Sequence, residues 1–180
     1  TLAVSIAALV AGAGLVEPAA REFVLALADD WNSRIESYTA VYGSALARRL
    51  GVAGYYVRVA PPAIFCDDRA LQRSVPIKNR AEGAAPAAEE QVSTDALQLV
   101  RFGLRRADDP LVCDTVKVID ALLRVDTPSG PAWRRYNGDG YGEHDDGAPF
   151  DGSGGGRPWP LLTGERGHYE LLAGRDAMPF

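Results

Sequence analysis

The sequence predicts an all-α fold of about five helices, paired into hairpins that are joined by long loops. Apolar residues recur at helical spacing, start signals precede them, and the connections alternate between a few residues and dozens. At 180 residues and 47% hydrophobic, the chain is long enough to bury a real core. It reads as one domain over 1–180, or as part of one.

The first helix is expected over approximately Leu2 to Ala13, apolar nearly all round as an enclosed helix is, and ends at Gly12 and Gly14. Glu17-Pro18 starts a second, amphipathic helix in which Phe23, Leu27, Trp31 and Ile35 recur at every fourth position beside Ala20, Val24 and Ala28. A third begins at Ser93 or Thr94 as cap and carries Leu97, Val100 and Leu104. A fourth has Asp109 capping Pro110, followed by the stripe Val112, Val116, Ile119 and Leu123. The fifth runs from near Trp159 to about Gly174. Two long connections, roughly 39–92 and 127–158, both precede odd-numbered helices. That order gathers them at the N-terminal ends of those helices, where they would form a common ligand floor. The first holds a short candidate strand, Gly54 to Val59, and an Ala/Glu/Pro-rich stretch from Ala81 to Glu90.

Composition narrows the function. Nineteen Lys plus Arg stand against 24 acids, a net charge of -5, which argues against an extended phosphate-binding surface and so against nucleic acid as partner. Only Lys78 and Lys117 are lysines, so positive charge arrives almost wholly as guanidinium, the planar fork suited to oriented hydrogen bonding. Cys66 and Cys113 are too few for a disulfide scaffold and lack C-x-x-C spacing. The apolar run Leu2 to Val16 has no basic leader and falls short of the roughly 18 residues of a membrane span, so no membrane partner is expected. The abrupt start and the RDAMPF close both read as truncations.

The densest site candidate is WRRYNGDGYGE, Trp133 to Glu143, where aromatic rings, an Arg pair and carboxylates alternate with three glycines. Sugars need such parts: flat rings for C–H faces, charged groups for hydroxyls, and glycines where backbone must come close. A solvated surface loop has the same composition. Calcium is a rival, because Asp139 to Asp151 contains five acids, but an EF-hand would need Glu where Ala148 stands. Gly154-Gly155-Gly156 is no phosphate loop, lacking a preceding strand and the Lys-Ser/Thr ending. It leads to the rigid corner Pro158-Trp159-Pro160, whose Trp159 suits either a stacking platform or plain packing. Glu165 and His168 share a helix face near Glu170, but His168 has only His144 as a second histidine and reads as a packing residue. Ser153 lacks a nucleophile-elbow context, and neither cysteine sits in a nucleophilic one. No cofactor or metal is implied.

Six successive blocks, GYYVRVAPP, VPIKNR, LVRFGLRRADDP, TVKVIDALL, PSGPAWRRYNGDGYGEH and GRPWPLLTGERGHYEL, resemble in order the bacterial glucoamylase-like proteins of glycoside hydrolase family 15. The resemblance implies part of an (α/α)6 barrel, with inner helices ringed by outer ones and the active site at the inner helices' N-terminal ends. It implies release of terminal glucose from α-linked oligosaccharides or polysaccharides with inversion, one glutamic acid acting as general acid and a second glutamate as base. Inversion leaves room for a water, with carboxyls roughly 6.5 to 9.5 Å apart. By resemblance Arg135 and Tyr136 hold the sugar, Asp139, Tyr141 and Glu143 line its subsite, and Trp159 is the aromatic before the next inner helix.

The family's acid lies in a Trp-Glu-Glu motif and its base in a Pro-Glu-Gln motif. Neither occurs in these 180 residues. Both catalytic carboxylates are therefore expected outside the chain, and neither Glu143 nor Glu165 is promoted to that role. The remainder of the barrel is the expected cover for the apolar faces of the first and fifth helices. Two alternatives stay open: a non-catalytic carbohydrate-binding helical domain, and a trehalose- or dextran-acting member of the family.

Overall fold

The computed structural model describes residues 2–180 apart from Asp68, 79–84, Glu143, Asp145, Gly147, Phe150 and 152–154. Its frame is helical. Helices α1 (Leu2–Gly12) and α2 (Pro18–Ser33) pack on each other across a short 3-10 connection, with Pro18 in the first turn of α2. After a break at Arg34 comes α3 (Ile35–Thr39), so Ile35 belongs to a separate short helix rather than to the end of the second. Ala28 and Ile35 from the predicted apolar stripe are buried, whereas Phe23 at its head is exposed.

The first long connection is more ordered than a loop. It holds β1 (Ala40–Tyr42), α4 (Ala45–Leu50) and β2 (Gly54–Tyr56), with β1 and β2 paired antiparallel, Ala40 opposite Tyr56. The candidate strand is thus present but stops at Tyr56. Thr115 Oγ1 accepts from Tyr56 N at 3.0 Å, which docks β2 onto α6 (Pro110–Leu123). Tyr56 donates its hydroxyl to Glu36 at 2.6 Å, and Arg105 grips the same carboxylate through Nε at 2.6 Å and Nη2 at 2.7 Å. Burial works to raise the Glu36 pKa, but these hydrogen bonds outweigh it and hold the carboxyl below its ordinary value.

The third predicted helix is shorter than expected. Ser93 accepts from Asp95 N, and a 3-10 turn over Thr94–Leu97 leads into α5 (Gln98–Arg101). Gly103, at φ +71°, then ends it by the left-handed turn that glycine adopts without strain. Helix α6 follows its sequence signals closely. Asp109 Oδ1 accepts from Leu111 N and Val112 N, and Val112, Val116, Ile119 and Leu123 are all buried. A hairpin absent from the sequence reading comes next, β3 (Arg124–Thr127) paired antiparallel with β4 (Gly130–Trp133). Helix α7 (Pro160–Leu172) closes the fold, and Gly174 follows it at φ +69°.

The elements flanking the site are locked by one buried ionic cluster. Trp133 is fully buried and donates its indole N–H to Asp120 Oδ1 at 2.9 Å. Arg166 on α7 meets the same carboxylate with Nε at 3.0 Å and Nη2 at 2.8 Å, and also donates to Glu170. Burial alone would lower the Arg166 pKa, but Asp120 and Glu170 more than offset it and keep the guanidinium charged. Elsewhere apolar surface stays open: Val4 and Val10 on α1, and Leu161 and Leu171 on α7, are exposed. No helix among the described residues is long and apolar enough to cross a membrane.

Replacing Asp120 by Ala strips the partner shared by Trp133 and Arg166. Arg166 retains Glu170, so the expected loss is about 3 kcal/mol, the low end for breaking a buried pair. Urea unfolding measures it, and a change below about 1 kcal/mol contradicts the role.

Candidate functional site

The segment after β4 leaves the fold at Trp133 and rejoins it at Trp159, where the two residues form an antiparallel bridge with Trp159 N donating to Trp133 O at 2.9 Å. Between these anchors the chain folds back on itself. Asp139 N donates to Tyr136 O at 3.3 Å around Gly138, whose φ of +76° suits a residue without Cβ. Asp139 O then accepts from Gly156 N at 2.6 Å, and Gly156 O accepts from Arg134 Nε at 2.8 Å.

Arg135 and Asp139 form a two-pronged ion pair, Nε to Oδ2 at 2.7 Å and Nη2 to Oδ1 at 2.9 Å. The Asp139 side chain is fully buried, whereas that of Arg135 is 36% exposed. Asp139 Oδ1 also accepts from Tyr141 N at 2.9 Å, which fixes the following backbone turn. Its hydrogen bonds raise the Arg135 pKa above the ordinary value against an opposing effect of burial, so Arg135 stays a cation. Three rings surround that cation, their centroids lying 5.4 Å (Tyr136), 5.1 Å (Tyr141) and 5.8 Å (Trp159) from Arg135 Cζ. Tyr141 and Trp159 are 49% and 39% exposed. The result is an oriented guanidinium flanked by accessible aromatic surface, the kind of surface that meets both the hydroxyl edge and the C–H face of a sugar.

Of the residues singled out by sequence, Arg135, Tyr136, Asp139, Tyr141 and Trp159 come together here, while Glu143 lies outside the described residues. Four further contributors were given no individual role from sequence. Asn137 anchors the loop to the first long connection, its Oδ1 accepting from Val92 N at 2.7 Å and its Nδ2 donating to Glu90 O at 2.7 Å. Arg134 and Gly156 hold the loop's two arms together, and Arg58 stacks 3.9 Å from the Tyr136 ring centroid. The signal for Arg58 was available as the lone cation in the apolar run GYYVRV.

The helix α7 acids are otherwise engaged. Glu165 accepts from Gln98 and Arg101, and Glu170 accepts from Arg166 and Arg175. Burial would raise the Glu170 pKa, but Arg175 and Arg166 together hold it below the ordinary carboxylate value. His144 Nε2 lies 3.0 Å from Asp151 Oδ1. Among the described residues, no three or more His, Cys, Asp or Glu gather as a metal site.

The sequence is 41% identical to a glucoamylase from Clostridium sp. (strain G0005) over 157 residues, which is 85% of this chain and 20% of that protein. The fold matches a crystal structure of a bacterial glucoamylase complexed with acarbose at a TM-score of 0.82 and 37% identity, covering 99% of this chain and 26% of that one. The chain thus spans about a fifth to a quarter of the length of these relatives. No protein-family model matches the sequence.

Gly156 has no room for a side chain, since an added Cβ would stand 2.8 Å from both Asp139 Cγ and Asp139 O. Gly156→Ala should push Asp139 away from Arg135, with a stability loss of about 1 to 3 kcal/mol, as for other overpacked sites. Urea unfolding reads it, and an unchanged midpoint would show that the two strands of the loop are not held this tightly.

Proposed function

We propose that this chain, which is similar to a segment of glucoamylases in sequence and in fold, supplies the sugar-binding wall of a glycoside hydrolase that releases terminal glucose from α-glucosides. The observation that carries the reading is the Arg135–Asp139 pair within its ring of aromatics. A sugar analogue, acarbose, occupies the structurally similar enzyme, which supports an α-glucan-like ligand for this surface.

In this reading Arg135 donates to sugar hydroxyls while Asp139, buried behind it, fixes the direction of the fork and neutralises its charge. Trp159 and Tyr141 offer flat faces to the pyranose ring, and Tyr136 lines the same floor. Glu143 is carried as a further lining residue on the sequence resemblance alone. The bond-breaking groups are a general acid and a base for water set apart as inversion requires. Glu165 and Glu170 are poor candidates for either, because each carboxylate is already bound by basic or amide donors from its own fold. By resemblance the acid belongs to a Trp-Glu-Glu motif and the base to a Pro-Glu-Gln motif, both absent here, so both are assigned to parts of the barrel beyond residues 1–180. That remainder also covers the exposed apolar faces of α1 and α7.

The whole protein carrying this chain, given maltose, isomaltose, dextran or trehalose, should release glucose as the β-anomer, as followed by proton NMR in the first minutes. The preferred substrate identifies the linkage. Release of α-glucose overturns inversion, and binding without release favours a non-catalytic carbohydrate-binding domain. Arg135→Ala should weaken acarbose binding by about 1.5 to 3 kcal/mol, the scale of hydrogen bonds to charged groups, and unchanged titration heats would refute the binding wall.

A further inference from the structure

We propose that Arg58 is a positioning residue for the sugar site, holding the Tyr136 ring, and through it the Arg135 loop, in the geometry that receives ligand. The proposal rests on the binding-wall reading above. Arg58 comes from the other long connection, two residues beyond the last residue of β2, so its place is set by the core rather than by the loop it touches. Its backbone N–H donates to Gln91 O at 2.7 Å, and its Nη1 donates to Gln91 Oε1 at 3.1 Å.

Gln91 is itself buried, and its side-chain amide has no slack. Nε2 donates to Val75 O at 2.6 Å and to Pro86 O at 3.2 Å, while Oε1 takes Arg58. With both ends of the amide used, Gln91 helps to place the Arg58 guanidinium. Its Cζ lies 3.9 Å from the centroid of Tyr136, closer than Arg135 approaches any of its three rings. No carboxylate among the described residues pairs with Arg58. A cation held over a ring without a carboxylate partner is placed to orient the ring.

The backbone completes the linkage. Tyr136 bridges Ser93 and Asn137 ties to Val92 and Glu90, so the 90–93 segment carries both the Gln91 that aims Arg58 and the contacts that seat the Arg135 loop. Loss of Arg58 would leave those backbone bonds in place and remove the nearer of the two guanidinium groups from the Tyr136 ring. The expected consequence is a loss of affinity larger than the loss of stability.

The test is acarbose titration calorimetry on the whole protein, with thermal melts in parallel, for Arg58→Ala, Arg58→Lys, Tyr136→Leu, the Arg58→Ala/Tyr136→Leu double variant and Arg135→Ala. Arg58→Ala should lower affinity about five- to tenfold, a size typical of a partly desolvated cation–π contact, with a modest fall in melting temperature from the Gln91 Oε1 left without its donor. Arg58→Lys, which keeps charge but not the planar fork, should recover only part of it. The two single losses should fail to add in the double variant, because removal of the ring removes what Arg58 acts upon. Additive losses overturn the proposal, as does a full-affinity Arg58→Ala beside a weakened Arg135→Ala. If neither arginine variant binds more weakly, the binding-wall reading falls as well.

Discussion

One carboxylate holds the parts of this structure that bear on ligand. Asp120, on α6, receives the indole N–H of Trp133 from β4 and two guanidinium N–H groups of Arg166 from α7. Three elements, one of them 46 positions from Asp120, thereby meet on a single side chain. The neighbouring rings of Trp133, Tyr169 and Phe180 all lie within 6 Å of the Arg166 guanidinium carbon, which adds cation–π attraction and buries the arginine side of the pair. The low-dielectric setting makes such an arrangement costly to disrupt and so a good fixed reference for the surface above it.

From that reference the site is assembled in stages. Trp133 is immobilised by its own indole bond, and its carbonyl receives the backbone of Trp159, so the aromatic platform inherits the position of the ionic cluster. Arg135 lies two residues further along and is aimed by a buried carboxylate rather than by a ligand. Its orientation is therefore in place before any sugar arrives, which removes part of the ordering cost that binding would otherwise incur. The first long connection presses in from the other side through Asn137 and Arg58.

What could be read from the sequence divides along physical lines. Signals that act within a few residues were legible: the Asp109-Pro110 start of α6, its buried stripe, and the cluster of Arg135, Tyr136, Asp139, Tyr141 and Trp159. The hairpin β3–β4 was not, since Arg124 to Thr127 has too few residues to display a period of its own and follows directly on the α6 stripe. Arg166 was passed over for Glu165, His168 and Glu170 on the same helix because its partner Asp120 is 46 positions away, beyond the reach of any local pattern. Gly156 read as part of a flexible glycine run, whereas its missing side chain makes room for Asp139. The short helices α3 and α4 were hidden for a similar reason: α3 is tied to β2 by the Glu36–Tyr56 bond and α4 packs on α6.

The bridge between Trp133 and Trp159 makes the segment it encloses an interchangeable cassette. Closing a loop costs about 0.6 kcal/mol more for each doubling of its length, and here the closure is secured at the base by the bridge and again by the bonds of Gly156 to Asp139 and Arg134. Residues inserted or deleted between Gly142 and Gly155 thus lie beyond both closures and leave the Arg135–Asp139 pair unmoved. Such a build lets the enclosed segment change length without rebuilding the Arg135–Asp139 pair or the rings around it.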